Sequence, residues 1–188
     1  MICGKYTGLR AIERADLPQL LAWRNRPEYR RYFREYREIS PEMQNAWFEK
    51  SVIGDPSTIM FAIVELGSGR LLGACGLCYI NWINRNADFS IYLGADDLYI
   101  DAVLASDAAY QLMQYGFEEL GLHRLWSEIY EFDEAKRTLF DTLGFSLDGR
   151  HRETLWSEGC WHDSLFYACL DTDKKPVGVG VSAGEKRP

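Results

Sequence analysis

Histidine is scarce in this chain, with three in 188 residues, and none stands in a metal-binding or hydrolytic pattern. There is no H-E-x-x-H, no G-x-S-x-G and no G-x-x-x-x-G-K-S/T, which removes zincin, α/β-hydrolase and P-loop chemistry. No apolar run approaches the ~18 residues of a membrane span. The opening MICGKYTGLR lacks the apolar core of a secretory leader. Basic excess is missing too: a net charge of −7 does not supply the positive footprint that general nucleic-acid binding needs. Cysteine is sparse and odd in number, five in all, as expected of reduced thiols rather than a disulfide framework. Cys75 and Cys78 form a C-x-x-C, but within the strand-like run LLGACGLCYI, where three-residue spacing turns the thiols to opposite faces. Neither a redox turn nor a metal chelate is expected there. These absences lead to a soluble, cytoplasmic protein with no nucleic-acid, membrane or metal partner.

What is present is core-forming material: 47% hydrophobic and 14% aromatic residues, enough for one packed domain at this length. Residues 1–170 are expected to form it. From Asp171 the composition changes to DTDKKPVGVGVSAGEKRP, polar and rich in glycine without large apolar residues, and residues 171–188 read as a disordered tail. The glycines there make no dinucleotide fingerprint, because no strand precedes them and no helix follows.

Periodicity places a short strand at Thr7–Ile12 and a helix from about Glu13 to Asn25, ended by the approach to Pro27. The next segment, RPEYRRYFREYREIS, carries Arg30, Arg34 and Arg37 at i, i+4 and i+7. In a helix these share one face and could hold phosphates or carboxylates. Glu28, Glu35 and Glu38 could equally pair with them. Ser40 before Pro41 caps a further helix. Thr58–Glu65 and Leu71–Ile80 pair as a hairpin about Gly67-Ser68-Gly69, and Ala87–Gly94 follows as a strand. From Asp88 to Phe145 the chain reads strand, loop, helix, strand, helix, with Ser106 and Asp107 as the expected N-cap of the first helix. Phe145–Glu153 and Cys160–Leu170 are two closing strands.

The motifs Y-G-F-E-E-L-G-L-H-R at 115–124, E-F-D-E-A-K-R-T-L-F-D-T-L-G-F at 131–145 and D-G-R-H-R-E at 148–153 resemble those of GNAT acetyltransferases. The branch most similar contains the ribosomal-protein and amino-sugar N-acetyltransferases, which L-R-A-I-E-R-A-D-L and W-R-N-R-P at 23–27 also resemble. The likeness covers about residues 8–170. It implies an α/β fold, a mixed and mostly antiparallel central sheet with two splayed central strands flanked by helices. It also implies transfer of an acetyl group from acetyl-coenzyme A to a primary amine: an amino-sugar nucleotide or other small amine, or a protein N-terminus. Homodimerisation follows by family analogy alone.

By the same resemblance the splayed strands are Ala87–Gly94 and Leu125–Glu131. The amides of Ile91 and Leu93 would receive the cofactor and polarise its thioester carbonyl. Asp88 and Glu128 are the expected bases, and alternation puts Asp88, Ser90 and Tyr92 on one face. The family's pyrophosphate loop falls on Ile100–Ala105, so Val103, Leu104, Ala105 and Ser106 would lie against the cofactor. There only Ala105 fits the family pattern; Val103 replaces a glycine and Asp101 adds negative charge. Asp133 stands where an asparagine commonly contacts the cofactor. Phe140 stands where many members place the tyrosine that protonates the leaving thiolate, so Tyr92, Tyr130 or solvent would have to supply that proton. Arg30 and Arg34 would bind the acceptor. The altered loop also supports a second expectation, a GNAT-fold binding or regulatory module that has lost or changed its use of acyl-coenzyme A.

Overall fold

The computed structural model describes residues 1–173, so most of the expected tail, 174–188, lies outside the described residues. Eight strands form one sheet in the order β1-β2-β3-β4-β5-β6-β8-β7. They are β1 (Ile2–Cys3), β2 (Thr7–Ala11), β3 (Ile59–Glu65), β4 (Leu71–Asn81), β5 (Asn86–Leu93), β6 (Arg124–Tyr130), β7 (Ser146–Ser157) and β8 (Cys160–Leu170). Every neighbouring pair is antiparallel except β5 with β6. A parallel pair needs a crossover, and α4 (Leu104–Gln114) supplies it. The other helices are α1 (Leu17–Arg24), α2 (Pro27–Arg30), α3 (Pro41–Trp47) and α5 (Glu134–Leu143). Among the described residues no helix is long and apolar enough to cross a membrane.

Period-2 alternation along β5 divides the core into two layers. Ala87, Phe89, Ile91 and Leu93 face α4 and α5 and join the larger apolar cluster. On α4 the inward residues Ala105, Ala108 and Ala109 are small enough to let the helix lie close to the sheet, with Leu112 and Met113 sealing the far end. Gly144 (φ 91°) ends α5 in the left-handed conformation that a Cβ disfavours. The opposite sheet face, carrying Ala62, Ala74 and Tyr92, packs against Leu17, Leu20, Trp23, Tyr29 and Phe48 of the N-terminal helices.

The functionally decisive feature is how briefly β5 and β6 pair. Their register holds only from Asn86–Arg124 to Asp88–Trp126. Beyond it β5 stays with β4 while β6 follows β8 to Tyr130, so the two strands part and leave a wedge.

Two sequence expectations need correction. Only Pro27–Arg30 is helical in the arginine-rich segment, so Arg30, Arg34 and Arg37 do not share a helical face. Aromatic packing overrides the helical spacing: Tyr32 stacks on Tyr99 at 4.3 Å, and Phe33 meets Tyr92 edge-on at 5.3 Å. The cap of α4 is neither Ser106 nor Asp107. Asp101 accepts from the amides of Leu104 (3.1 Å) and Ala105 (2.6 Å), so the helix begins earlier. Asp107 instead holds β2, accepting from the amides of Lys5, Tyr6 and Thr7.

Candidate active site

Two carboxylates flank one guanidinium where β5 and β6 separate. Asp88 is the last β5 residue paired to β6, and Glu128 lies two residues past the last paired β6 residue. Arg34, from the irregular segment above, donates from Nη1 to Asp88 Oδ2 at 2.8 Å and places Nε 3.3 Å from Glu128 Oε2. Burial raises the pKa of Asp88, with Arg34 opposing it. These groups line a cavity of about 340 Å³ with Arg24, Asp55, Ser90, Ser127 and Lys136. A second cavity of about 460 Å³ adjoins it across Arg24, Trp47, Ser51 and Ser90, and reaches Arg37, Met43, Lys50, Met60 and Tyr92.

Arg30 and Arg34 have different surroundings. Arg30 pairs with Glu38 at 2.6 Å near the surface, while Arg34 enters the cleft with its fork engaged by carboxylates. Arg37 is held by Glu35, so the glutamates do take up two of the three arginines. No arginine of this group is left free to clasp a phosphate. Tyr92 shares its face with Asp88 and Ser90 but opens on the second cavity, where burial lifts its hydroxyl to about 12. Tyr130, buried at the far end of β6 beside Phe132, is likewise raised by burial.

The expected coenzyme track runs along the wedge. Leu93, however, donates its amide to the carbonyl of Tyr99 at 2.8 Å, so it is not free to receive a cofactor amide. Two residues earlier, Ile91 directs its N–H the same way by strand period, toward the gap β6 has vacated. The Tyr99 hydroxyl donates to Asp133 Oδ2 at 2.9 Å, and Asp133 Oδ1 caps α5 by accepting from the Lys136 amide. Asp133 therefore holds the 99–100 segment and its own helix rather than standing open. Phe140 is fully buried, stacked on Phe145 at 4.7 Å, and has no polar atom to offer.

At the outer end, Ile100, Asp101, Ala102 and Ser106 face Ala135, Leu139 and Thr142 across a cleft of about 230 Å³ between α4 and α5. The positive end of α4 opens on this cleft, where the resemblance expects a pyrophosphate, but two of its amides are held by the Asp101 carboxylate. Val103 is half exposed, Leu104 half-buried and Ala105 fully buried.

Lys136 was not foreseen. Its side chain is 7% exposed and lines the cavity with Asp88 and Glu128. The sequence signal was the spacing Asp133, Lys136, Phe140 (i, i+3, i+7), which puts Lys136 on the inward face of α5.

Comparison with known proteins agrees with this architecture. A family profile described as acetyltransferase (GNAT) domain matches residues 7–146. The spermidine N(1)-acetyltransferase of Escherichia coli strain K12 is 30% identical over 158 residues, covering 84% of this chain and 82% of that protein. The Vibrio cholerae enzyme of the same name is 26% identical over 156 residues, 82% of this chain and 87% of the relative. The crystal structure of Vibrio cholerae spermidine N-acetyltransferase with CoA and spermine superposes with a TM-score of 0.81 at 24% identity, covering 89% of this chain and 96% of that one.

Proposed function

Because the chain belongs to the GNAT acetyltransferase family, whose co-substrate is acetyl-coenzyme A, we propose that it acetylates a small cationic primary amine. The observation that carries this is the pair of carboxylates at the wedge, Asp88 and Glu128, already bridged by one cation, Arg34. Such a site has an acceptor geometry for N–H donors and a preference for positive charge. The amino-sugar nucleotide expected from the sequence is disfavoured, because its phosphates would need arginines that these carboxylates and Glu35 and Glu38 occupy. The names of the curated relatives, spermidine acetyltransferases, support the same choice.

Within the site, Glu128 is the carboxylate an arriving ammonium meets first, since its side chain is 24% exposed against 7% for Asp88. Glu128 takes the amine's proton, directly or through one water, and frees the nitrogen lone pair. Asp88 fixes Arg34, and Arg34 in turn orients Glu128. The free amide of Ile91 supports the thioester carbonyl as negative charge gathers on its oxygen.

The test is thiol release from acetyl-coenzyme A in the presence of spermidine, with a small peptide amine as competitor, alongside calorimetric titration of acetyl-coenzyme A alone. Turnover with spermidine, lost in Glu128→Gln, supports the reading. Absence of acetyl-coenzyme A binding at millimolar ligand refutes it and favours the alternative of a binding module. Turnover confined to the peptide amine transfers the acceptor assignment to a protein N-terminus.

A further inference from the structure

A departing thiolate needs a proton, and the position that resembles the family's donor is filled by Phe140, sealed in an aromatic cluster with Phe89, Phe145 and Tyr167. One turn back on the same face of α5 stands Lys136. Its neighbours Glu134, Ala135, Arg137 and Thr138 are less buried, yet Lys136 points inward and is among the core-facing residues of the helix. Buried lysines are ordinarily paired. Here, among the described residues, no carboxylate lies within 4.0 Å of Nζ and no side-chain hydrogen bond from it occurs; its close contact is the ring of Tyr99, 5.5 Å away. The ammonium thus ends in the cavity where β5 and β6 part, among Asp88, Ser127 and Glu128, with protons to give and nothing receiving them.

Chain connectivity makes this placement specific. Asp133 caps α5, ties Tyr99 to it and so fixes both the start of the helix and the ring over which the ammonium sits. The helix axis then carries Lys136 to the mouth of the wedge and Phe140 past it. Positions 136 and 140 stand on adjacent turns of one face of α5, with the Phe140 ring against Phe89 of β5.

We propose that Lys136 is the proton donor to the coenzyme A thiolate, an assignment that rests on the acetyl-transfer reading above. As the amine nitrogen bonds to the acetyl carbon, the carbon–sulfur bond breaks with its electron pair on sulfur. Nζ–H delivers its proton to that sulfur, so coenzyme A leaves as the thiol. Neutral Lys136 recovers a proton from water at the cavity mouth, while the arriving ammonium sheds two protons through Glu128, one before attack and one as the amide forms, so each turnover releases one proton net. Burial is the main influence on this lysine and lowers its pKa, so the proton is released more readily than from a surface lysine. Asp133 from its own helix and Asp88 from β5 oppose that shift, while Arg24 and Arg34 from the roof reinforce it. Glu128 of β6, Tyr32 and Glu35 of the roof segment, Asp55 of the loop before β3, and Cys78 and Tyr79 of β4 line the same cavity, and the Tyr99 ring lies 5.5 Å from Nζ.

The experiment compares Lys136→Met, Lys136→Arg and the double variant Lys136→Met/Phe140→Tyr with wild type, by kcat from thiol release and by calorimetric Kd for acetyl-coenzyme A. Loss of a general acid is expected to lower kcat about 100-fold in both single variants. The Kd should stay within about threefold, and the alkaline limb of the kcat–pH profile should vanish. Restoring a hydroxyl at 140 should recover roughly tenfold of the lost kcat, which a merely structural lysine would not allow. If Lys136→Met does not fold, the arginine variant carries the test, since it keeps charge and bulk but holds its proton. A kcat within about threefold of wild type in either folded variant overturns the assignment while leaving the acetyltransferase reading intact. So does a loss confined to Kd, or a double variant no better than Lys136→Met. A wild-type protein that transfers no acetyl group overturns both.

Discussion

Removing the Asp101 carboxylate from the start of α4 should tighten acetyl-coenzyme A binding while loosening the fold. In the structure this carboxylate receives the amides of Leu104 and Ala105 at 3.1 and 2.6 Å, two of the donors a pyrophosphate would use. Binding must break that cap, whose worth is about 1 kcal/mol. It must also bring phosphate charge near a displaced carboxylate, a repulsion of about 1 kcal/mol at ~4 Å in water-like surroundings. Asp101→Ala removes both obstacles, about 2 kcal/mol together, so acetyl-coenzyme A should bind roughly thirtyfold tighter. The same change strips the free protein of its cap and should lower Tm by about 2–4 °C. Asp101→Asn keeps a capping oxygen and loses the charge, so it should give a smaller gain, a few-fold, with little change in Tm. Calorimetric titration and differential scanning calorimetry read the two effects separately. Affinity that stays constant or falls in both variants would refute the reasoning: the coenzyme would then leave Asp101 in place and use it.

Other consequences follow from neighbouring contacts. Arg34→Met removes the cation opposing the burial of Asp88, so the Asp88 pKa, already raised, should rise further. Because a raised carboxylate favours the fold at low pH and loses that contribution as pH climbs through its folded pKa, the variant should be relatively most destabilised at neutral pH; carboxyl NMR titration with pH-dependent melting checks both. Asp16 behaves in the opposite sense: Arg10 grips it with two hydrogen bonds of 2.7 and 2.8 Å and lowers its pKa. Its contribution is present above the unfolded pKa and lost as pH falls through the folded one. Asp16→Asn should therefore cost about 1–3 kcal/mol near pH 7 and much less in acid, as urea unfolding at the two pH values would show. Gly94→Ala puts a Cβ about 2.1 Å from the Trp23 ring, so a loss of 1–3 kcal/mol or more is expected in the same assay; an unchanged midpoint would mean that the ring moves freely.

Much of the architecture was legible because it is written in short-range pattern. Alternation in NADFSIYL placed Asp88, Ser90 and Tyr92 together, and the Ser40–Pro41 cap and the Gly67–Gly69 turn lie where the structure has them. The arginine-rich segment misled for the same reason. Its helical spacing is real, but after the single turn Pro27–Arg30 the rings of Tyr32 and Phe33 pack on Tyr99 and Tyr92, and packing outweighs propensity. The two-residue β1 is too short to carry any period.

The sequence by itself determined the order of elements, the faces of each strand and helix, and through its motifs the family. Those properties depend on residues a few positions apart, and local backbone geometry transmits them. Only the tertiary structure decided which groups meet: Arg34 with Asp88, 54 residues on, Tyr99 with Asp133, and the inward ammonium of Lys136 with the wedge. Period tells which way a side chain points; what stands opposite is chosen by the packing of distant segments. Tertiary structure likewise put the Asp101 carboxylate, rather than Ser106 or Asp107, on the N-terminal amides of α4.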